Sequence, residues 1–352
     1  MKYEMKEFYK DKKILVTGHT GFKGSYLCQI LCNMGAEVIG YGLKPPTTPA
    51  LFDILDLEKR MTSVIGDIRD FEKLQNVFEK YQPEIVFHLA AQPIVRESYV
   101  NPMYTYETNV MGTVHICECV RKSNCVKSFL NVTTDKVYEN QETGTPFTED
   151  MPLDGYDPYS NSKSCSELVT HSYIHSFFDD MELAVSTARA GNVIGGGDFA
   201  KDRIVPDCYR AASQGKKIVI RNPYSVRPYQ HVLEPLYVYM MIAMKQYEDK
   251  AWQGFYNVGP DDVNCITTGE VADCFCDSWG ENLAWENQYD GGPHEAGCLK
   301  LNCDKVKKQF GWCPKWNATE AIQMSVTWYQ AYHDGADMIA ITNKQIGEMF
   351  DV

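Results

Sequence analysis

A tyrosine and a lysine four residues apart are the side chains in this sequence whose types and spacing best suit proton transfer. Tyr159 and Lys163 belong to the run Tyr-Ser-Asn-Ser-Lys. Residues at i and i+4 lie on one face of a helix, and an ammonium beside a phenol favours the phenolate and lowers the phenol's pKa. A phenol tuned in this way exchanges a proton with a substrate hydroxyl. Because many solvated helices carry the same spacing, the pair gains meaning only from its context.

That context is a glycine-rich turn near the N-terminus. Gly18, Gly21 and Gly24 are spaced G-x-x-G-x-x-G between a buried-strand pattern at 13–17 and a helical pattern at 25–34. Backbone N–H groups at such a turn, together with the helix N-terminus, bind phosphates, and small residues let the backbone approach them. The spacing differs from the commoner G-x-G-x-x-G, but strand and helix flank it as a dinucleotide site requires. The turn therefore predicts a dinucleotide cofactor.

The residue that distinguishes NAD from NADP is not the expected one. An acid usually follows the second strand and holds the ribose 2′-hydroxyl, whereas here the strand pattern at 37–41 is followed by Lys44. A lysine suits a 2′-phosphate, and it equally suits a solvated loop, where most lysines lie. Charge alone leaves the choice open.

Strand and helix patterns alternate over the first half of the chain. Further strand patterns occur at 63–65, 84–89, 128–132 and 183–187, and further helical patterns at 71–81, 108–122 and 159–178. This alternation predicts an α/β fold with a doubly wound parallel sheet of the Rossmann type. It stops near the glycines at 195–197, beyond which mixed short segments hold all six tryptophans.

A chain of 352 residues is long for a single core, so we expect two lobes. The predicted dinucleotide-binding domain comprises residues 1–193 and 231–260, the second stretch including a strand at 255–259. A smaller mixed α/β substrate-binding lobe is predicted at 194–230 and 261–330. Residues 331–352 form a tail with a short amphipathic helix.

Charge and cysteine content exclude several classes of protein. The formal net charge of −13 argues against nucleic-acid and anionic-membrane partners. No apolar run approaches the roughly 20 residues that span a bilayer, and the N-terminus lacks an apolar signal core, so we expect a cytoplasmic protein. Thirteen cysteines without a C-x-x-C pair predict reduced thiols rather than a zinc ribbon. His171 and His175 share a helix face but lack the glutamate of a zinc-protease helix, so no metal is expected.

The glycine turn, Thr134 and the Tyr159/Lys163 pair together resemble the extended short-chain dehydrogenase/reductase superfamily, from about residue 12 to about 330. Several longer stretches are similar to the CDP-glucose 4,6-dehydratase family within it, at 16–24, 65–70, 88–93, 155–163, 189–198 and 221–228. The resemblance implies conversion of a CDP-hexose to its 4-keto-6-deoxy form, with NAD reduced and reoxidised in one turnover. It thus implies a lyase acting in deoxysugar synthesis for surface polysaccharides.

The resemblance also implies catalytic roles. Tyr159, assisted by Lys163 and Thr134, would take the proton of the C4 hydroxyl. Asp135 would be the acid that protonates the departing C6 oxygen, and Lys136 the base that takes the C5 proton; related dTDP-glucose dehydratases carry Asp-Glu at these two positions. An adjacent carboxylate favours the ammonium form of Lys136, whereas a base must be the free amine.

Binding residues follow from the same resemblance. Besides Tyr159 and Lys163, the implied cofactor contacts are Gly18, Thr20, Gly21, Phe22, Lys23, Gly24, Asp67, Ile68, Leu89, Ala90, Ala91, Gln92 and Asn109. A diphosphate-bearing substrate needs converging cations and amides, and the candidates are Asn192, Arg203, Arg221 and Arg227, with His294 on a nearby loop in an open role.

Other activities stay open at this point. A nucleotide-sugar 4-epimerase shares the Tyr159/Lys163 pair but needs no Asp135/Lys136 pair. A dehydratase that acts on a dTDP- or GDP-hexose is a further alternative. A dinucleotide-sensing protein without catalysis has no need of Tyr159 and Lys163. The resemblance further implies a homo-oligomer, a dimer or larger, formed through the helices at 108–122 and 159–178.

Overall fold

The protein is built around a parallel sheet, and the computed structural model describes residues 2–280, 283–289, 291–292, 297–350 and 352. The strands are β1 (Lys13–Thr17), β2 (Glu37–Gly42), β3 (Thr62–Ile65), β4 (Ile85–His88), β5 (Ser128–Thr134), β6 (Ala184–Ala190), β7 (Val193–Ile194), β8 (Ile218–Ile220), β9 (Val226–Arg227), β10 (Gln230–His231), β11 (Phe255–Val258), β12 (Ile266–Thr267) and β13 (Trp285–Asn287).

Helices cover both faces of the sheet. They are α1 (Lys2–Tyr9), α2 (Phe22–Asn33), α3 (Leu51–Ile54), α4 (Phe71–Tyr81), α5 (Val95–Val100), α6 (Pro102–Tyr106), α7 (Gly112–Lys122), α8 (Pro158–Tyr173), α9 (Ile204–Ala212), α10 (Leu233–Glu248), α11 (Thr268–Trp279), α12 (Asp304–Phe310), α13 (Ala318–His333) and α14 (Met338–Met349).

Seven strands form the central sheet in the order β11-β6-β5-β4-β1-β2-β3, all parallel. Thr17 lies opposite His88, and Thr134 lies opposite Ala190, so the carboxyl ends of neighbouring strands meet at one edge. The direction in which the chain adds strands reverses between β1 and β4, which is where doubly wound sheets bind their ligands. The predicted fold class is confirmed.

Alternate side chains of the buried strands pack into two separate cores. Leu15 and Phe129 face α4, α7 and α8, whereas Val16 and Leu130 belong to the larger core that includes α2 and α10. Strands buried on both faces are near-continuous apolar runs, as β1 and β4 are. The sheet is thereby a rigid base for the loops at its carboxyl edge.

One predicted helix starts earlier than expected and changes its winding. The sequence pattern indicates a helix over 108–122, and these residues are helical, but the helix already starts with α6 at Pro102 and passes through a π-helical turn at Glu107–Met111 before α7. The side chain of Asn109, within that turn, exchanges hydrogen bonds with the backbone of Gln92 and donates to Ser162 Oγ at 2.9 Å. These contacts account for the wider turn, which is common at functional sites.

The smaller lobe is mixed α/β. Two-stranded pairs form between β7 and β10, β8 and β13, and β9 and β12, with α9, α11 and α13 packed among them. The stretch 231–260 returns to the main sheet, because α10 packs on β5 and β6 and β11 extends the sheet. Phe147 also bridges to Leu301, so a segment before α8 contacts the lobe that we predicted at 261–330.

The tail packs onto the main body. Asp337 caps α14, and Met338, Ile346 and Met349 are buried. Trp328 Nε1 in α13 donates to Thr342 Oγ1 at 2.9 Å. The amphipathic helix expected in the tail is therefore present and closes the larger core. Among the helices described, none has the length and apolar character that crossing a membrane requires.

Candidate active site

The glycine turn between β1 and α2 forms a cradle. Gly18 has φ +73°, and a Cβ there would lie 2.9 Å from the Ala90 backbone, so the turn touches the loop after β4. A Cβ at Gly24 would lie 2.2 Å from the Gly18 carbonyl oxygen. A Cβ at Gly21 would meet nothing closer than 3.4 Å, which leaves that side of the turn open. Two glycines pack the turn and the third keeps it accessible.

The cradle fits a dinucleotide diphosphate. Gly21 is the N-cap of the 12-residue α2 and makes no side-chain cap, so the helix N-terminus presents its first N–H groups to the crevice. Thr17 Oγ1 holds the adjoining loop by accepting from the N–H groups of Leu89 and Ala90, each at 3.2 Å. We define the crevice by the carboxyl ends of β1, β4 and β5, this turn, and the first turns of α8.

Residues at the far end of the crevice suit an adenosine. Tyr41 donates to the Asp67 carbonyl at 2.8 Å, and the hydrogen bond from Arg69 lowers the pKa of the Asp67 carboxyl. His115 Nδ1 lies 3.0 Å from the Ile68 carbonyl oxygen. Thr20 Oγ1 donates to the carbonyl of Leu43, whose neighbour Lys44 is exposed at the end of β2. Asp67 and Ile68 thus stand on the same side as Lys44, as a bound adenosine requires.

Thr134, Asp135 and Lys136, which we predicted to assist oxidation at C4 and to catalyse the elimination of water, are joined by hydrogen bonds. Thr134 ends β5, and Asp135 and Lys136 begin a single 3₁₀ turn. Thr134 Oγ1 donates to Asp135 Oδ1 at 2.9 Å, and Lys136 Nζ lies 3.2 Å from the same oxygen. Lys136 also donates to Asn192 Oδ1 at 3.3 Å. Asp135 Oδ2 is buried and finds no hydrogen-bond partner among the described residues.

Tyr159 and Lys163 lie in the first turns of α8, as the spacing predicts. Pro158 occupies the first helical position, and Asp157 caps the helix by accepting from Ser160 N at 3.0 Å. Tyr159 is buried, and Thr134 is the polar neighbour that acts to lower the pKa of its phenol. Lys163 Nζ donates to the Val132 carbonyl at 3.2 Å.

The ionisation of this pair differs from the expectation. Burial raises the pKa of Tyr159 to about 12, and the hydrogen bond from Thr134 offsets only part of that effect. Burial lowers the pKa of Lys163 to about 8, although Glu167 acts the other way. The inference that Lys163 by itself lowers the phenol's pKa is therefore wrong, because the phenolate loses more hydration on burial than these neighbours replace.

Two further cations approach the pair. Burial lowers the pKa of Lys23 to about 7, and the positive charges of Lys163 and Arg203 add to the effect. Lys23 Nζ lies 6.0 Å from the ring centre of Tyr239. Arg203 NH1 binds Asp198 at 2.8 Å, and this carboxylate raises the pKa of the guanidinium. Lys23 and Arg203 are brought to the crevice from opposite lobes.

The structure does not place the remaining predicted substrate-binding residues in the crevice as it does Arg203. Arg227 is buried and donates to the carbonyl of Val226 at 2.9 Å. Arg221 forms an ion pair with Asp202 and lines a hollow that shares no residue with the crevice. The ion pair of Arg221 therefore does not support its predicted substrate contact. His294 lies outside the described residues.

A buried network beneath the crevice was missed from the sequence. Glu167 accepts from Arg189 at 2.9 Å and from Thr187 at 2.8 Å, and it is hydrogen-bonded to Thr133. Arg189 also donates to Tyr138 Oη at 2.8 Å. One feature of the sequence could have indicated that Glu167 belongs to this network. Tyr159, Lys163 and Glu167 are spaced four residues apart and therefore share one face of α8. His171 continues that face and pairs with Glu167 at 3.4 Å rather than with His175.

No cluster of three or more metal-ligating side chains occurs within the part of the chain that the structure describes. All thirteen cysteines are free thiols. The described arrangement is the Asp135/Lys136 pair and the Tyr159/Lys163 pair beside the glycine turn.

A doubly wound sheet with these residues at its switch point defines an extended short-chain dehydrogenase/reductase. Comparison with family models narrows the class. The chain belongs to the GDP-mannose 4,6 dehydratase family, whose model matches residues 15–325.

Individual relatives agree with the resemblance inferred from the sequence. The chain is 47% identical over 349 residues to CDP-glucose 4,6-dehydratase of Salmonella typhimurium, covering 97% of each chain. Among solved structures, it is similar to the UDP-glucose 4-epimerase of Thermus thermophilus in complex with NAD, with 25% identity, a TM-score of 0.78 and coverage of 90% of this chain and 98% of the other. The fold of dTDP-glucose 4,6-dehydratase from Bacillus anthracis is also similar, with 24% identity, a TM-score of 0.77 and coverage of 93% and 99%. The predicted resemblance is confirmed.

Proposed function

We propose that this protein is an NAD-dependent hydro-lyase that converts CDP-glucose to CDP-4-keto-6-deoxyglucose. The observation that carries the proposal is the Asp135/Lys136 pair at the carboxyl end of β5, where Asp135 Oδ1 accepts from Thr134 Oγ1 and from Lys136 Nζ. An epimerase needs the Tyr159/Lys163 pair alone, whereas a dehydratase also needs an acid and a base for the loss of water. The choice of CDP-glucose is supported by the relative from Salmonella typhimurium, which matches nearly the whole chain.

The cradle is the proposed cofactor site. Gly18, Gly21 and Gly24 with the N-terminus of α2 would hold the diphosphate, and Asp67 and Ile68 would contact the adenosine. When bound there, NAD supplies the acceptor for the C4 hydride and the donor of hydride to C6. Lys44 is exposed, which agrees with a solvated loop residue and with the smaller cofactor.

Each reacting side chain has a distinct task. Tyr159 takes the C4 hydroxyl proton, and Lys163, anchored on the Val132 carbonyl, orients the sugar and offsets negative charge. Once C4 is a ketone, the C5 proton is acidic, so Lys136 removes it while Asp135 protonates the departing C6 oxygen. Lys136 returns its proton to C5 when hydride reaches C6. Removal of the C5 proton requires a free amine at this position, and the Lys136 side chain is 23% exposed to the crevice.

The substrate would lie between the lobes. Asn192 and Arg203 approach the reacting residues directly, and Arg203 suits an oxygen of the sugar or diphosphate. We retain Arg227 as a candidate because it is buried at the end of β9. Arg221 and His294 stay predictions from the sequence.

We also propose a homodimer formed through α6, α7 and α8. This region exposes large apolar side chains, namely Val100 at the end of α5, Met103 in α6, Met111 just before α7, Leu168 in α8 and Phe177 just after α8. Exposed apolar patches of this kind mark protein interfaces. A second copy would cover this face by packing the same helices against it, as an isologous dimer requires. Cytoplasmic localisation and a role in deoxysugar synthesis stay predictions from the sequence.

A panel of nucleotide sugars tests the activity. The protein is incubated with NAD and with CDP-, dTDP-, GDP- or UDP-glucose, and the product is followed by the near-ultraviolet absorbance that a 4-keto-6-deoxy sugar develops in alkali. We expect this product from CDP-glucose, and none from the Tyr159→Phe variant. Turnover of another nucleotide sugar alone would overturn the choice of CDP, and inversion at C4 without loss of water would indicate an epimerase.

A further inference from the structure

The register of the central sheet brings Asn192 beside Lys136. Thr134 at the end of β5 lies opposite Ala190 at the end of β6, and Lys136 and Asn192 each lie two residues further along the chain. Because the two strands are parallel, the segments that leave them emerge at the same edge of the sheet. Lys136 Nζ donates to Asn192 Oδ1 at 3.3 Å. The contact therefore follows from the pairing of the two strands.

The backbone of Asn192 is held where the sheet meets the smaller lobe. Its carbonyl accepts from the N–H of Gln230 at 3.0 Å, and β7, which begins directly after it, pairs with β10. A Cβ at Gly191 would lie 2.5 Å from Pro228 Cγ, so the backbone before Asn192 is closely packed. The side chain of Asn192 thus presents Oδ1 to Lys136 from a fixed backbone.

Lys136 Nζ has a second fixed acceptor. It lies 3.2 Å from Asp135 Oδ1, which also accepts from Thr134 Oγ1 at 2.9 Å. Asp135 is buried, and its Oδ2 has no hydrogen-bond partner among the described residues, which leaves Oδ2 to hold the proton of the acid. Two oxygens that follow neighbouring strands therefore meet the same nitrogen.

These two acceptors match the needs of a free amine. A primary amine has two N–H groups and one lone pair, and when each N–H donates to one oxygen, the lone pair takes the remaining direction. With a single acceptor, the amine turns about Cε–Nζ, and the lone pair faces C5 for only part of the time. The Lys136 side chain is 23% exposed to the crevice, so a substrate can reach it. Two acceptors thus fix the direction of the base.

We propose that Asn192 is a positioning residue that, together with Asp135, orients the Lys136 amine toward C5 of the sugar. This inference rests on the proposed dehydratase function and deepens it. The lone pair of Nζ takes the C5 proton, and the electrons of the C5–H bond form the C5=C6 double bond. The C6–O bond breaks as its oxygen takes the proton of Asp135 and leaves as water. Lys136 returns the proton to C5 when hydride reaches C6, and both contacts persist because Nζ keeps two N–H groups throughout.

The test separates oxidation from elimination in a single turnover. Concentrated enzyme loaded with NAD is mixed with a smaller amount of CDP-glucose, and absorbance follows the reduced cofactor as it forms and decays. We expect Asn192→Ala to leave formation within about twofold of the parent and to slow decay about tenfold or more. In a Lys136→Met background, the same substitution should leave the residual decay unchanged, because Asn192 acts through Lys136.

A second variant distinguishes this role from a contact with the substrate. Asn192→Asp keeps an oxygen beside Nζ and removes the amide donor, but its negative charge favours the ammonium form of Lys136. Decay in this variant should therefore be slow at about pH 7 and approach the rate of the parent by about pH 9.5, whereas Asn192→Ala should stay slow over this range.

Three results would overturn the inference. They are normal decay in Asn192→Ala, equally slow decay in Asn192→Ala and Asn192→Asp at every pH, and an undiminished cost of Asn192→Ala in the Lys136→Met background. Failure of the proposed function is a separate result, since the parent would then form no reduced cofactor with CDP-glucose at any pH.

Discussion

In the proposed reaction, Lys136 is the residue that distinguishes a dehydratase from an epimerase. Its Nζ atom lies 3.2 Å from Asp135 Oδ1 and 3.3 Å from Asn192 Oδ1, at the carboxyl end of β5. Oxidation at C4 requires neither contact, whereas removal of the C5 proton requires a base at this position. The side chain therefore acts after Tyr159 in the reaction.

We expect Lys136→Met to stop the loss of water while oxidation continues. A methionine keeps the length and packing of the stem but cannot accept the C5 proton, so the step after oxidation should slow at least about 10³-fold. The measurement is absorbance of reduced cofactor on mixing with CDP-glucose, together with the alkaline assay for product. Lys300→Met is a matched control, since Lys300 pairs with Asp262 in the other lobe. Normal product formation by Lys136→Met would remove Lys136 from its role.

Within the glycine turn, we expect different glycines to serve the stability of the fold and the binding of the cofactor. Gly24 packs against the Gly18 carbonyl, whereas Gly21 has φ −77° and open space at its Cβ position. An alanine at Gly24 must displace backbone, and an alanine at Gly21 need not.

We expect Gly24→Ala to destabilise the fold by about 2 kcal/mol or more through this clash. Gly21→Ala should leave the thermal midpoint near that of the parent but weaken NAD binding by about tenfold or more, because its methyl group occupies the approach of the diphosphate. Thermal unfolding without cofactor and titration with NAD measure the two effects. Equal loss of stability in both variants would contradict this division of roles.

The buried Glu167–Arg189 pair attaches α8 to β5 and β6. Removing one member of a buried pair leaves an uncompensated charge and costs about 3–5 kcal/mol. We therefore expect a loss of this size in Arg189→Met, and a smaller loss in Arg189→Met/Glu167→Gln than in the single variant. Urea unfolding gives these free energies. A double variant as unstable as the sum of both single variants would show that the two residues are not coupled.

The same pair should make stability depend on pH. Burial opposes ionisation of Glu167, but the Arg189 charge and the hydrogen bonds from His171, Arg189 and Thr133 together lower its pKa to about 2. The folded pKa lies below the ordinary value of 4.5, so the stabilisation is present above about pH 4.5 and is lost as pH falls toward 2. We expect the difference in thermal midpoint between the parent and Glu167→Gln to narrow between pH 5 and 3. A constant difference would argue against this ionisation.

In the whole molecule, the exposed apolar face of α6, α7 and α8 is the proposed contact between two copies. Leu168 is 51% exposed, on the side of α8 opposite Tyr159, Lys163 and Glu167. The helix that carries the reacting pair would therefore also form the dimer.

We expect Leu168→Glu to convert the dimer to a monomer, because a carboxylate would be buried without a partner. Sedimentation equilibrium measures the mass. Val263→Glu is the matched control, since Val263 is 88% exposed in the other lobe and should leave the mass unchanged. A parent that is already monomeric would overturn the proposed interface.

Local pattern was enough for much of the fold. The strands at 13–17, 37–42 and 85–88 and the helix at 71–81 follow from apolar periodicity, and Asp70 caps that helix as predicted. The π-helical turn at Glu107–Met111 was not predicted from local pattern. It involves contacts of Asn109 with Gln92 and Ser162, which are distant in the sequence.

By itself, the sequence determined the sheet architecture, the dinucleotide cradle and the identity of the reacting pair, since these depend on spacings within a few residues. Tertiary structure decided how those residues are charged and connected. Burial beneath the crevice outweighs the ammonium beside Tyr159, and Glu167 finds Arg189 only when α8 packs on β6. Lys136 Nζ reaches Asn192 Oδ1 only because the end of β5 lies beside the segment that follows β6, which brings together residues 56 positions apart.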